Sequence, residues 1–354
     1  MSKIPSPADM CIIVTYRCPM RCEMCNIWKN PTDKKQEITV EEIKRLPKVK
    51  FINITGGEPF VREDLDEIVK VCFTKSPRVV ISTSGWYADR IIALARKFPK
   101  IGIRISIEGL SQKNDELRGR PGGFDKGLHT LLTLREMKVK DIGFGCTVSN
   151  NNSADMLDLY RLAKSLNMEF ATAAFHNSYY FHKYDNSIDA KDEVCGNFEK
   201  LVDLQLKEAQ PKSWFRAFFN MGLINYIEGN KRLLPCEAGN VNFFVDPWGD
   251  VYPCNGMEKK YWMERMGNIR ETPNFKELWT SEQAERVRAL VRKCPKNCWM
   301  VGTASPVMKK YIRVPLLWAL KNKLRSLRGK PARLNRSSYN VGQDPRQGDL
   351  REIV

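Results

Sequence analysis

Cys18, Cys22 and Cys25 follow a short apolar run in a C-x3-C-x2-C spacing. A cubane iron–sulfur cluster normally takes four thiolates, so a loop that supplies three leaves a fourth iron open to another ligand. Pro19 keeps the loop from continuing as helix and lets the three thiolates converge. The competing reading is a structural zinc knuckle, or three unrelated core cysteines. Structural zinc wants four N or S ligands, yet the nearest downstream histidine is His129. A second chemistry-bearing stretch, Gly56-Gly57-Glu58-Pro59, ends a β-branched run. Its glycines let backbone approach a ligand without a Cβ in the way, and Glu58 is placed to meet an ammonium.

A second cysteine set comprises Cys236, Cys254, Cys294 and Cys298. Residues 242–254 read as a β-hairpin turning at Pro247-Trp248-Gly249-Asp250, which would bring Cys236 towards Cys254. Cys294 and Cys298 could then close the set. Four thiolates fully ligate one iron–sulfur cluster or one structural zinc.

These loops need a scaffold. Apolar patterning predicts strands at 9–15, 51–55, 79–82, 102–107, 142–148 and 169–175. It predicts helices at 65–73, 88–98, 124–137, 156–166 and 193–209, with a linker before Pro235. Such alternation indicates βαβ units and a parallel sheet. Ligands bind such sheets at the carboxyl ends of the strands, where the cysteine loop and the Gly-Gly-Glu-Pro loop fall. No G-x-G-x-x-G follows a strand, and neither a G-x-S-x-G elbow nor a Walker-type loop is present, so dinucleotide chemistry has no support.

The chain resembles the radical S-adenosylmethionine (SAM) superfamily, whose hallmark is CxxxCxΦC with an apolar residue before the last cysteine; Met24 fills that place. The resemblance implies an α/β fold, a partial (β/α)6 barrel. Cys18, Cys22 and Cys25 would hold a [4Fe–4S] cluster whose open iron chelates exchangeable SAM. Gly56, Gly57, Glu58 and Pro59 match the family's GGEP loop, which holds the methionyl amine. Ser84 stands where relatives often carry Asn. Ser106 and Glu108 share a face by period two and match a Ser-x-Asp/Glu-Gly segment, where they could bind ribose. Asp115-x-x-Arg118 matches the segment that carries an arginine to the SAM carboxylate; the alternative is a solvated helix turn. Asn150 lies in a polar exit loop that could reach the adenosine.

Cys236-x12-Gly249-x4-Cys254, followed by Met266-Gly267-Asn268-Ile269 and Leu278-Trp279, resembles the SPASM/twitch extension of this family. Full SPASM domains carry seven cysteines; the four here match the twitch complement. That implies one auxiliary [4Fe–4S] cluster on Cys236, Cys254, Cys294 and Cys298. The implied activity is reductive cleavage of SAM to a 5′-deoxyadenosyl radical, which abstracts hydrogen from a small-molecule substrate. A saccharide or a lipid- or nucleotide-linked intermediate is the expected substrate. The auxiliary cluster would take or pass an electron, and a flavodoxin- or ferredoxin-type protein would supply one. Dehydrogenation and epimerisation both stay open. The alternatives are a radical SAM peptide maturase and, from another class, a non-catalytic zinc-stabilised binding protein. Cys146 on the fifth strand is a candidate hydrogen donor. His176 clusters with Tyr179, Tyr180 and His182 after the sixth strand and is the other catalytic candidate. Core packing is the competing reading for both.

The 354 residues accommodate a barrel at 1–210, an auxiliary-cluster unit at 211–304 and a basic helix with a flexible tail at 305–354. Eleven cysteines, an odd number, and no secretory signal at the start point to a reducing cytoplasm. No apolar run approaches the ~20 residues of a membrane span. The net charge of +17 is concentrated: residues 286–343 hold 15 Lys and Arg and no Asp or Glu, whereas residues 1–285 carry only +3. Within that basic stretch 315–329 has helix grammar, with Pro315 near its start and Gly329 past its end. Leu317, Leu320, Leu324 and Leu327 form an apolar stripe with Trp318 at its boundary, and Lys321, Arg325 and Arg328 line another face. Such a helix reads as a peripheral membrane-surface element at the inner face of the membrane, or as one packing its leucines on its own barrel. Nucleic acid suits it less, because no aromatic platforms interleave with the charges. The polar tail beyond Lys330 is expected to be disordered.

Overall fold

The structure, a computed structural model, describes residues 6–259 and 262–334; most of the tail expected to be disordered lies outside these residues. The first half alternates β1 (Asp9–Ile13), α1 (Val40–Lys44), β2 (Phe51–Thr55), α2 (Leu65–Lys75), β3 (Val79–Thr83), α3 (Ala88–Lys97) and β4 (Gly102–Ser106). It continues with α4 (Gln112–Arg118), α5 (Gly123–Glu136), β5 (Ile142–Val148), α6 (Asp155–Ser165) and β6 (Glu169–Ala174). The second half holds α7 (Lys191–Lys207), α8 (Pro211–Ile227), β7 (Asn242–Val245), β8 (Asp250–Tyr252) and β9 (Gly267–Asn268). Helices α9 (Phe275–Thr280), α10 (Glu282–Arg292), α11 (Val301–Lys310) and α12 (Arg313–Leu327) follow.

β1 to β6 form the expected open parallel sheet, in the order β6-β5-β4-β3-β2-β1. Each strand sends alternate side chains to opposite faces. Ile52 and Ile54 of β2, Ile81 of β3, Ile103 and Ile105 of β4 and Phe144 of β5 go into the main core, together with apolar helix residues such as Leu65, Ile91 and Leu131. Polar side chains on the other face meet one another: Ser82 Oγ donates to Asn53 Oδ1 at 3.1 Å.

The sheet does not stop at the expected boundary near 210. β7 lies parallel to β1, with Ile12 opposite Val245, and β8 and β9 add antiparallel strands beyond it. The hairpin of the auxiliary unit is thus hydrogen-bonded to the barrel's first strand. The segment read as a linker is largely helix α8, which Pro211 begins. Phe218, Met221, Leu223 and Ile224 are buried along it. An apolar run this continuous hides the one-sided period that marks a surface helix.

α12 packs on α7 and α8, with a face opposite to the one the leucine pattern implied. Val314, Pro315, Trp318, Ala319 and Asn322 are buried, and Leu317, Leu320, Leu324 and Leu327 are exposed. Trp318 does not sit at a boundary; it meets Phe218 edge-on at 5.5 Å. Lys323 Nζ donates to the carbonyls of Leu206 and Glu208, both at 2.8 Å, filling acceptors left open near the end of α7. Trp318→Ala should therefore lower stability by about 3 kcal/mol, the lower part of the range for such truncations, because the indole N–H has no partner to lose. A urea or thermal melt of the full chain measures this.

Candidate active site between two cysteine sets

The cysteine loop is irregular, so its backbone groups need partners elsewhere. Gly57 N–H donates to Thr15 O at 2.7 Å and Glu58 N–H to Arg17 O at 2.9 Å. A Cβ at Gly56 or Gly57 would stand 2.6 or 2.5 Å from these carbonyls. The two glycines therefore permit contact between two loops. On the other side Arg21 N–H donates to Arg118 O at 3.1 Å and Glu23 N–H to Leu117 O at 2.9 Å. Gly119 ends α4 with φ +61°, and a side chain there would strike the Arg21 carbonyl.

A third support comes from residues 176–186. Asn26 N–H donates to Phe181 O at 2.8 Å, Asn186 Nδ2 to Met24 O at 3.1 Å, and Tyr180 Oη to Gly56 O at 2.9 Å. Buried Glu37 gathers Thr15, Thr32, Arg17 and Arg62 beneath the loop. Nothing in the local sequence marked Glu37, because its partners come from three segments, around Thr15 and Arg17, at Thr32 and at Arg62.

Arg118 is the central cation. Its Nη1 meets Glu108 Oε1 at 2.9 Å, while its buried Nε has no partner. Burial opposes its charge, and the neighbouring Cys22, Glu108 and Cys18 more than offset this, holding its pKa above the ordinary range. The solvated-turn reading of Arg118 is thus excluded. Burial pushes the Cys18 and Cys25 thiols up to about 12 and raises that of Cys22.

The structure corrects several expectations. Glu108 is committed to Arg118 and to Thr147 N–H, at 2.5 Å, so its carboxylate is not a free ribose acceptor; Ser106 is half-buried on the end of β4. Glu58 already accepts from Phe60 N, Thr83 Oγ1 and both donors of Ser84. An ammonium must displace one of these, and the Ser84 hydroxyl faces Glu58. Asn150 accepts from Asp189 N–H and Ala190 N–H at 3.0 and 3.1 Å. Its neighbour Asn152 is the buried one, donating to Glu108 O at 2.7 Å. Cys146 shares its face with Phe144 and Val148 and is buried in the main core, as the packing reading expects. His176 is half-buried, its Nδ1 against Ala174 O at 3.0 Å and its buried Nε2 without a partner among the described residues; desolvation lowers its pKa to about 4.

The second set is also assembled. Burial and the proximity of Cys298, Cys236 and Cys294 raise the Cys254 thiol well above its usual range. Arg232 donates to the Cys298 carbonyl, and Asn297 Nδ2 donates to Tyr226 O and Asn230 O at 3.1 and 2.8 Å. Among the described residues no three His, Cys, Asp or Glu side chains stand at single-ion spacing.

Beside Cys254 lies a small cavity lined by Ile13, Tyr16 and Tyr180 on the barrel side and by Asp246 and Asn255 on the other. Asp246 Oδ1 accepts from Trp248 N–H and Asp250 N–H, both at 2.9 Å, which closes the hairpin turn. Its buried Oδ2 has no partner, nor does Asn255 Oδ1. Burial, reinforced by Asp250, lifts the Asp246 pKa from 3.8 to about 7.

Residues 12–163 match the radical SAM superfamily, and residues 236–300 match an iron–sulfur cluster-binding domain of the SPASM type. The chain belongs to the radical SAM enzymes with a SPASM C-terminal domain. It is 26% identical over 317 residues to an Fe-coproporphyrin III synthase of Methanosarcina barkeri, covering 80% of this chain and 76% of that protein. It is 23% identical over 316 residues to the sporulation killing factor maturation protein SkfB of Bacillus subtilis, covering 84% and 69%. The structure of anSMEcpe with bound AdoMet and a peptide superposes with a TM-score of 0.60 at 15% identity, over 89% of this chain and 99% of that one; this likeness concerns the fold. The family uses a [4Fe–4S] cluster with SAM and auxiliary iron–sulfur centres. Two gathered thiol sets and the orphaned Arg118 Nε fit those groups.

Two outcomes follow. Gly119→Ala should push the cysteine loop off α4, so that reconstituted protein holds only the auxiliary iron, about four of about eight atoms; iron and sulfide analysis reads this. For Asp246, the folded protein keeps a proton that the unfolded chain releases between pH 3.8 and about 7. The stability it contributes is complete below about pH 4 and lost as pH rises through 7. Asp246→Asn should therefore melt several degrees above wild type at pH 8, with the gap closing towards pH 5.

Proposed function

We propose that this radical SAM enzyme dehydrogenates a peptide side chain presented beside the small cavity that Asp246 and Cys254 line. The observation that carries the reading is the unpartnered Asp246 Oδ2 in a cavity that touches Tyr16 on one side and Cys254 on the other. Cys18, Cys22 and Cys25 would hold the SAM-binding cluster, and Cys236, Cys254, Cys294 and Cys298 the auxiliary one. When bound, these groups supply hydrogen-atom abstraction from carbon and an electron acceptor. Arg118 Nε binds the SAM carboxylate, fixed in direction by Glu108. Asp246 takes the proton that leaves with the second electron; a carboxyl group with a pKa near neutrality suits that task. The peptide is supported by the likeness to SkfB and by the fold shared with peptide-bound anSMEcpe. A saccharide substrate gains nothing from either likeness.

A second reading, a porphyrin substrate, is favoured by the 26% identity to the Fe-coproporphyrin III synthase. Deuterated substrates separate the two: label should reach 5′-deoxyadenosine from a peptide encoded beside the gene, and label arriving only from a coproporphyrin would replace the first reading by the second. Cys18/Cys22/Cys25→Ala should abolish 5′-deoxyadenosine formation. Asp246→Asn should retain it while losing about a hundredfold or more in substrate oxidation. Full oxidation by folded Asp246→Asn protein would remove Asp246 from the mechanism.

A further inference from the structure

We propose that α12 is a docking surface for an anionic lipid bilayer. Six of the nine large apolar side chains exposed among the described residues lie on or beside this helix: Ile312, Leu316, Leu317, Leu320, Leu324 and Leu327. Their spacing places them on one face, opposite the buried Val314, Trp318 and Ala319. Exposure is greatest at the end of the stripe, 56% at Leu324 and 71% at Leu327. A helix already anchored through Trp318 thus carries a second apolar face that no other described residue covers.

Arg313, Lys321, Arg328 and Lys330 are exposed around this face, and residues 286–343 contain no acid to oppose them. An apolar stripe with a basic border is complementary to acyl chains beneath anionic headgroups. A second copy of the chain fits less well, because isologous pairing of two such stripes would bring identical basic borders together. Among the described residues no helix is long and apolar enough to cross a membrane, so α12 would lie in the surface. The inference stands independently of the reaction proposed above.

The test is cosedimentation of the reconstituted full chain with vesicles of phosphatidylcholine alone or mixed with phosphatidylglycerol. Wild type should pellet with the anionic vesicles about tenfold better than with the neutral ones, and less at high salt. Leu317→Ser/Leu320→Ser/Leu324→Ser should lose about tenfold or more in binding, with melting temperature and iron content unchanged. Arg313→Gln/Lys321→Gln/Arg328→Gln should lose the preference for anionic lipid. Wild type remaining in the supernatant, or the serine variant pelleting as wild type does, overturns the proposal. Self-association without vesicle binding, abolished by the serine changes, would instead make the face an interface between copies.

Discussion

An irregular loop cannot satisfy its own backbone, and the cysteine loop meets that constraint by borrowing partners on three sides. The Gly56-Gly57 turn, the end of α4 and the segment after β6 each supply hydrogen bonds to it. Each contact fixes a further choice: glycines where backbones touch, a left-handed Gly119 where the helix must stop, and an aromatic segment that closes over the loop. Arg118 belongs to the same arrangement. Its carbonyl receives the loop while its guanidinium is held by Glu108 beside two of the thiols.

The β1–β7 pairing brings the second cysteine set into this framework. A parallel ladder running from Asp9 opposite Asn242 to Ile12 opposite Val245 ties the hairpin to the strand that leads into Cys18. The turn that Asp246 closes therefore stands at the same edge of the sheet as the cysteine loop. Trp248 at that turn packs edge-on against Tyr16, 5.3 Å between ring centres, so the two units share an aromatic contact as well as a ladder.

Much of the barrel could be read from the chain because parallel strands are short apolar runs bounded by turns; the expected 51–55 and 142–148 coincide with β2 and β5. The cysteine sets and the hairpin were legible because spacing alone carries them. Facing was harder. Cys146 is one position from Thr147 and Asn150 two positions from Asn152, the residues whose backbone N–H and side-chain amide bond Glu108. α12 misled for another reason: its leucines are the outer of two apolar faces, and the inner face rests on a tryptophan, a proline and small residues. Glu37 had no signal at all, since three of its four partners, Thr15, Arg17 and Arg62, lie 20 or more residues away in sequence.

The four cysteines outside the two sets have a consequence for how the holoenzyme is made. Cys11, Cys72, Cys146 and Cys195 are all buried, whereas the other seven thiols are partly open. Burial closes the four to an arriving metal, whereas the seven partly open thiols can be reached. Once the chain has folded, arriving iron and sulfide therefore meet only thiols that belong to a site. Folding does the sorting that eleven cysteines would otherwise leave to chance.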